Sequence, residues 1–274
     1  MKNWKTIILP GAIATVLAAC APVQTTSGGA IGVDRKQYFL VSEEQVQQSA
    51  AMAYQQELQK AQQKGTLNAN RALVDRVRRV ANRLIPATGA LRPDAPGWKW
   101  EVNVENSPEL NAYAMPGGKI MVYSGLVEKL NLSDDELAAV MGHEIAHALR
   151  EHGRERVSRQ MGQEAVLALG AAALGVNNDA AVGLANQVAT VTFQLPHSRE
   201  QETEADRIGL ELMARAGYNP NAAISVWEKM ANAAGGGAPP QFLSTHPSPS
   251  SRIADLRSLV PRVMPLYESA RGKG

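Results

Sequence analysis

The sequence predicts an α+β fold that is mainly helical and includes one small β-sheet. Most of the chain repeats apolar residues at helical spacing, and several such runs begin with capping sequences, for example Ser42 followed by Gln45. Residues 98–123 instead alternate apolar with polar residues and contain the turn sequence Pro-Gly-Gly at 116–118. A length of 274 residues allows one large domain or two small ones, and we expect one domain over residues 42–274.

Residues 1–19 are typical of a bacterial lipoprotein signal peptide. A basic start precedes a short apolar run that a proline and a glycine interrupt, so the run is a poor membrane span. It ends with Leu-Ala-Ala-Cys at 17–20, which resembles a lipobox with cleavage before Cys20 and lipidation of that cysteine. Cys20 is the only cysteine, which excludes an internal disulfide and a cysteine-rich zinc finger. An ordinary secretory signal or an uncleaved anchor is the alternative.

A lipid on Cys20 would attach the protein to a bacterial membrane. Ala21 follows the cysteine, and the lack of an aspartate there, by resemblance to lipoprotein sorting, predicts the periplasmic face of the outer membrane; the inner membrane is the alternative. Residues 20–41 would then be a lipidated cysteine and a flexible tether rich in Pro, Thr, Ser and Gly. A net charge of +2 gives no argument for a nucleic-acid partner.

Two helices and a small sheet are expected next. The first helix runs from a cap at Ser42 to about residue 63, and the second runs from about residue 70 to 85, where Pro86 should end it. Residues 98–104 predict one strand, and 112–115 with 119–123 predict a hairpin.

The following helix carries the most informative motif. Ser133 and Glu136 form a capping box, after which apolar residues recur at helical spacing. Within this helix His143, Glu144 and His147 form an H-E-x-x-H sequence. Residues four apart share a helix face, so both imidazoles can bind one zinc ion while the glutamate reaches a water on that ion. A helix with two partly buried histidines is the alternative.

A catalytic zinc site needs a third protein ligand and an open position for water. Glu202 and Asp206 are four apart at the start of another helix, so one could bind the ion while the other orients a ligand histidine. Spacing alone leaves Glu200 and Glu204 open as well, and the helix dipole by itself explains an acidic run at a helix start. We expect one zinc ion per chain.

The remaining chain is predicted to be helical over about 155–176, 180–192, 199–216 and 221–234. The apolar stretch within 165–176 indicates close helix packing, with a surface that contacts membrane or a partner as the alternative. We interpret His152 as structural, because a positive charge suits a helix end, and His197 has no clear partner.

Four ordered blocks together resemble the zinc metallopeptidases of the HtpX and CAAX prenyl endopeptidase type, a family of the gluzincin class. The resemblance covers roughly residue 42 to the C-terminus and includes no transmembrane helices, as in a soluble periplasmic lipoprotein branch. The blocks are 111–118, His143 to His147, Glu202 with Ala205 and Asp206, and Thr245-His246-Pro247 followed by Arg252.

The resemblance implies a mainly helical zincin-like metallopeptidase domain with its sheet beside the active-site helix. It implies that His143, His147 and Glu202 bind zinc, and that Asp206 lies behind them. It also places His246 and Arg252 in the catalytic site, where they would help to stabilise the oxyanion. In some relatives the matching histidine is thought to cap the zinc.

In peptidases of this kind an edge strand receives the substrate in extended form, through main-chain hydrogen bonds that accept many sequences. A purely structural sheet is the alternative. We assign this substrate-binding strand to Ala114, Met115, Lys119, Ile120 and Met121.

These inferences predict a zinc-dependent endopeptidase of the bacterial cell envelope, with Glu144 as the general base. The resemblance implies unfolded, misfolded or misassembled envelope proteins as substrates, the membrane as a partner through Cys20, and contact with outer-membrane assembly machinery. One alternative is a chaperone-like assembly factor for outer-membrane proteins with a largely latent zinc site. Another is a structural zinc site with no position for water.

Overall fold

The structure is a computed structural model and describes residues 22–173, 183–234, 241–246 and 250–272. The expected fold class is confirmed, since the chain is mainly helical with one three-stranded sheet. Within these ranges no helix combines the length and apolar character needed to cross a bilayer. The expected signal peptide and Cys20 lie outside the described residues, as does the end of the apolar stretch at 174–176.

The helices are α1 Glu43–Gln63, α2 Arg71–Ala87, α3 Ser124–Lys129, α4 Asp134–Leu149, α5 His152–Ala173, α6 Leu184–Phe193, α7 Arg199–Arg215, α8 Ala222–Ala234, α9 Gln241–Thr245 and α10 Ser250–Arg271. Short 3₁₀ turns at Thr88–Ala90 and Ala95–Gly97 connect α2 to the sheet.

Local sequence signals fix where the long helices begin. Ser42 and Ser133 form capping boxes at the starts of α1 and α4, as expected, and Ser198 does the same for α7. Pro86 was expected to end α2 but lies inside it, and the helix continues to Ala87. In the last turn a proline loses one hydrogen bond to the preceding turn without forcing the helix to stop.

The sheet consists of β1 Glu101–Glu105, β2 Ala112–Met115 and β3 Lys119–Tyr123, in the order β1-β3-β2. The predicted hairpin is confirmed, with β2 antiparallel to β3, and β1 lies parallel to β3 on its other side. The first strand begins three residues later than expected.

Strand order corrects part of the predicted substrate-binding strand. Lys119, Ile120 and Met121 lie on the central strand, where they pair with β1 on one side and β2 on the other. Their main-chain groups therefore have no free side for a peptide. Of the residues assigned to substrate binding, only Ala114 and Met115 lie on an edge strand, β2.

Helix α4 is the centre of the core. Every residue from Glu136 to Leu149 is buried, and the helix packs against α2, α7, α8 and β2. It crosses α7 where two glycines face each other, because a Cβ on Gly209 would lie only 2.7 Å from the backbone nitrogen of His143. The two helix backbones are thus almost in contact, which brings the acidic start of α7 beside the motif of α4.

Residues 22–41, which we call the N-terminal strap, differ from the expected flexible tether. Ile31 and Val33 are each 5% exposed and join the main core, and the Ala30 backbone N–H donates to a Glu211 carboxylate oxygen at 2.7 Å. Arg35 forms ion pairs with Glu155 and Glu204. The packed body therefore begins near Val23, whose backbone pairs with Gln37, because the strap buries apolar side chains and satisfies charges that the helices present.

Glu155 shows what the strap contributes to stability. Burial by itself would raise the pKa of this carboxyl, but hydrogen bonds from Arg35 and Gln201 outweigh burial and lower the pKa to about 2. A carboxyl with a lowered folded-state pKa stabilises the protein above its ordinary pKa, and this stabilisation is lost as pH falls from about 4.5 towards 2.

We expect Glu155→Gln to lower the free energy of unfolding at pH 7 by roughly 1–3 kcal/mol, since one pKa unit corresponds to about 1.4 kcal/mol. Urea unfolding of the metal-free wild type and variant at pH 7 and pH 3 measures the effect. The difference in unfolding free energy between the wild type and the variant should be smaller at pH 3 than at pH 7. A gap of equal size at both pH values would contradict the assignment.

Candidate metal centre

Helix α4 places two imidazoles one turn apart on a buried face. His143 and His147 are 3% and 4% exposed, and their Nε2 atoms lie 3.1 Å from each other. The capping box at Ser133 fixes the start of the helix, and the core-facing apolar residues fix its rotation, so both rings point towards α7.

Helix α7 brings a carboxylate to the same point. Glu202 is 1% exposed, with Oε2 lying 3.5 Å from His143 Nε2 and Oε1 lying 3.4 Å from His147 Nε2. His246, which follows α9, adds a fourth group, because its Nδ1 lies 3.0 Å from Glu202 Oε1 and 3.2 Å from His143 Nε2. One ligand atom from each of these four residues can therefore surround a single point.

The spacing of these atoms fits zinc. Tetrahedral zinc with bonds of about 2.0–2.1 Å to nitrogen and oxygen separates its ligand atoms by roughly 3.3 Å. The closest separations among the four side chains are 3.0 to 3.5 Å. Two imidazoles, a carboxylate and a further imidazole are also the donor types that zinc prefers. The residues present therefore fit one zinc ion.

Glu144 lies beside this group with an available carboxylate oxygen. The side chain is buried, its Oε1 has no hydrogen-bond partner among the described residues, and the nearest basic group is His246 Nε2 at 3.5 Å. Burial raises the pKa of Glu144, and the nearby histidines and a hydrogen bond from the Ala114 backbone oppose that rise. A buried oxygen without a partner marks where a water or substrate group would be hydrogen-bonded.

The acidic residue behind the ligands is held by an arginine from α10. Asp206 Oδ1 lies 3.0 Å from His143 Nδ1, and the Arg252 guanidinium donates to both oxygens of Asp206 at 2.6 Å. Arg252 also lies 2.8 Å from Glu202 Oε2, and its guanidinium stacks over the ring of Trp227. These contacts orient the two carboxylates, and the expected role of Arg252 at the oxyanion stays a prediction.

Two further histidines join the cluster, which therefore contains all five histidines of the chain. His152 Nδ1 lies 2.8 Å from His147 Nδ1, and the ring of His197 lies 3.9 Å from the ring of His147. Sequence reasoning left both outside the site. His152 lies just past a chain reversal, where Glu151 has a φ of 50° and turns the chain back towards α4, and no helical periodicity in the sequence marks this reversal.

Comparison of this chain with known proteins shows which protein family it matches. A family model described as peptidase family M48 matches residues 71–260, a range that includes all four candidate ligands. The chain is 36% identical over 195 residues to the mitochondrial metalloendopeptidase OMA1 of Schizosaccharomyces pombe, covering 71% of this chain and 55% of that protein. The Saccharomyces cerevisiae protein of the same name is 37% identical over 186 residues, or 64% and 51% of the two chains.

A bacterial relative is the beta-barrel assembly-enhancing protease of Escherichia coli, which is 33% identical over 169 residues. The match covers 59% of this chain and 34% of that protein. The chain thus spans about half the length of the two yeast relatives and about a third of the bacterial one.

Proposed function

Because the chain belongs to peptidase family M48, we propose that it is a zinc-dependent endopeptidase of the bacterial cell envelope. The observation that carries this proposal is the group of four candidate ligand residues, whose closest atoms lie 3.0 to 3.5 Å apart. Beside it lies Glu144 Oε1, which has no hydrogen-bond partner among the described residues. This combination supports metal-assisted hydrolysis over a merely structural metal site, which has no use for a buried base.

Each side chain of the site has a separate part in the proposed hydrolysis of a peptide bond. A zinc ion held by His143, His147 and Glu202 would supply the Lewis acidity that makes water acidic near neutral pH and polarises a peptide carbonyl. Glu144 accepts the proton of the attacking water at its Oε1 and then passes this proton to the leaving amine. Asp206 accepts from His143 Nδ1–H and so leaves Nε2 free to bind the metal.

His246 has two possible roles in this scheme. Its Nδ1 completes the set of four ligands, whereas its Nε2 faces Glu144 Oε1. While Nδ1 fills the fourth position, a water or a peptide has no place there. Turnover therefore requires His246 to move aside, after which its imidazole can donate to the oxyanion.

The edge strand supports extended peptides as substrates. β2 pairs with β3 on one side only, and its Ala114 backbone lies within hydrogen-bonding reach of Glu144. A peptide that adds to this edge would run past the candidate base, bound mainly through its main chain. Such binding favours unfolded, misfolded or misassembled proteins, because only these present extended segments.

The cellular location is part of the proposal. The lipobox ending at Cys20 supports a lipid-anchored protein on the periplasmic face of the outer membrane, in the lipoprotein branch of the HtpX and CAAX prenyl endopeptidase type. The name of the E. coli relative supports contact with outer-membrane assembly machinery, although the yeast relatives are named as mitochondrial.

One observation favours a second function, namely that His246 supplies a fourth candidate ligand. With His246 filling the shell, the site could be largely latent and the protein could act as a chaperone-like assembly factor. A Glu144→Gln form that rescues a deletion strain as well as the wild type would favour this second function. Loss of rescue together with loss of hydrolysis would favour the peptidase.

Replacing His143 tests the metal centre directly. We expect wild-type protein to contain one zinc ion per chain and His143→Ala to contain almost none, because the variant removes the ligand atom closest to the other imidazoles. Metal analysis after dialysis measures the content. Met141→Leu, a volume-conserving change on the core side of the same helix, is the control and should keep its zinc. A His143→Ala protein with a full zinc complement would defeat the assignment.

A further inference from the structure

His152 is fully buried and is not among the four candidate zinc ligands. It is the first residue of α5, and the reversal at Glu151 turns its ring towards α4. Its two ring nitrogens have separate partners, since Nδ1 faces His147 Nδ1 at 2.8 Å and Nε2 faces Glu204 Oε2 at 2.9 Å. The ring therefore connects a ligand imidazole to a carboxylate.

The direction of each hydrogen bond follows from the metal chemistry. If His147 binds zinc through Nε2, its only ring proton is on Nδ1, which must then donate to His152 Nδ1. His152 Nδ1 accepts, so its own proton is on Nε2 and is donated to Glu204. All three groups have one consistent protonation pattern, in which the lone pair of His147 Nε2 points at the metal.

Glu204 is held in position to accept the hydrogen bond from His152. It is 6% exposed and receives hydrogen bonds from Arg35 of the strap at 2.8 and 2.9 Å. Arg150, a fully buried arginine, also donates to it. The two arginines therefore hold the carboxylate of Glu204 in place where it faces His152.

The other ligand histidine has the same kind of support. His143 donates from Nδ1 to Asp206, a residue of α7 two positions beyond Glu204. One helix therefore supplies a ligand, Glu202, and a carboxylate for each of the two ligand histidines, directly for His143 and through an intervening imidazole for His147. Such supporting groups fix the tautomer and orientation of a ligand and raise its basicity.

We propose that His152 and Glu204 form a positioning relay for His147, fixing its Nδ1–H tautomer and the direction of its Nε2 towards the metal. This inference rests on the metal site of the proposed function and goes beyond it, because neither residue belongs to the group of four candidate ligands. Arg35 makes the N-terminal strap part of the relay by holding Glu204.

Two variants of His152 distinguish the loss of its hydrogen bonds from a change in its packing. The amide of a glutamine spans about the same distance as the two imidazole nitrogens, so His152→Gln can accept from His147 and donate to Glu204, whereas His152→Phe can do neither. We expect His152→Phe to raise the zinc dissociation constant about 10–100-fold, the usual loss for such a group, and His152→Gln to raise it only a few-fold. Competition with a chromophoric chelator measures both constants on the full chain.

A second readout needs no metal and no activity. In the metal-free protein, nitrogen-15 shifts of labelled histidines should show His147 protonated at Nδ1 in the wild type and in His152→Gln. In His152→Phe this preference should be lost, because nothing then accepts from Nδ1. If His152→Phe fails to fold, as its melting curve would show, Glu204→Gln takes its place and should weaken the same tautomer preference.

The outcomes of these experiments distinguish a failure of the relay from a failure of the proposed function. Equal losses of zinc affinity in both His152 variants, or an Nε2–H tautomer in the wild type, would overturn the relay. A wild-type protein that binds no zinc would defeat the proposed function, and the tautomer of His147 in that protein would still decide the relay.

Discussion

A Glu144→Gln variant should keep its zinc and lose almost all turnover. General acid–base groups contribute about 10²–10⁴-fold to rates, and the glutamine cannot accept the proton of water. Glu144 is not among the four candidate ligands, and the amide matches the carboxylate in size, so the metal centre should remain intact. The unpartnered Oε1 is the atom whose charge this change removes.

Hydrolysis of an unfolded protein, followed by fragment analysis, measures this effect beside the zinc content. Glu57→Gln, which changes a surface glutamate paired with Lys60, is the matched control and should behave like the wild type. Full hydrolysis by Glu144→Gln would remove this residue from the mechanism. Loss of zinc together with activity would instead show that Glu144 supports the metal.

Gly209→Ala is expected to disturb both the fold and the metal centre. The added Cβ would lie 2.7 Å from the His143 backbone nitrogen and 2.9 Å from the Gly142 carbonyl carbon. Backbone atoms cannot rotate away, so α4 and α7 must separate. Overpacking of this kind costs about 1–3 kcal/mol and occasionally more. Since α7 carries Glu202 and α4 carries both ligand histidines, zinc affinity should fall with stability.

Urea unfolding and chelator competition on the same protein measure the two effects. Gly97→Ala is the control, because a Cβ there meets no atom within 4 Å. This control should change neither quantity much. If Gly209→Ala unfolds at the wild-type urea concentration and binds zinc as tightly, the close crossing of α4 and α7 does not hold the ligands together.

Features set by neighbouring residues could be predicted from the sequence. The capping boxes at Ser42 and Ser133 begin helices as expected, and the turn at 116–118 closes the hairpin. The pairing of His143 with His147 follows from helix geometry alone. Each depends on residues within a few positions of one another, where propensity and hydrogen bonding act without help from the rest of the fold.

Features set by distant contacts could not be predicted in this way. β1 pairs with β3 on the side away from β2, which makes β3 the central strand. The placement of Lys119 to Met121 on an edge strand was therefore wrong. Spacing alone also left Glu200 and Glu204 open beside Glu202. The family resemblance implied Glu202, and the crossing of α4 with α7 places its carboxylate beside the imidazoles. His152 and His197 enter the cluster through a chain reversal and a loop that carry no helical periodicity.

The packing of the strap determines how far an anchored protein could move. If Cys20 carries a lipid as we propose, only Ala21 and Pro22 separate the attachment point from Val23, whose backbone pairs with Gln37 of the strap. An extended chain spans at most about 3.6 Å per residue, so the three steps from Cys20 to Val23 cover no more than roughly 11 Å. The folded domain would then lie close to the bilayer surface, and its substrates would have to approach the lipid headgroups to be hydrolysed.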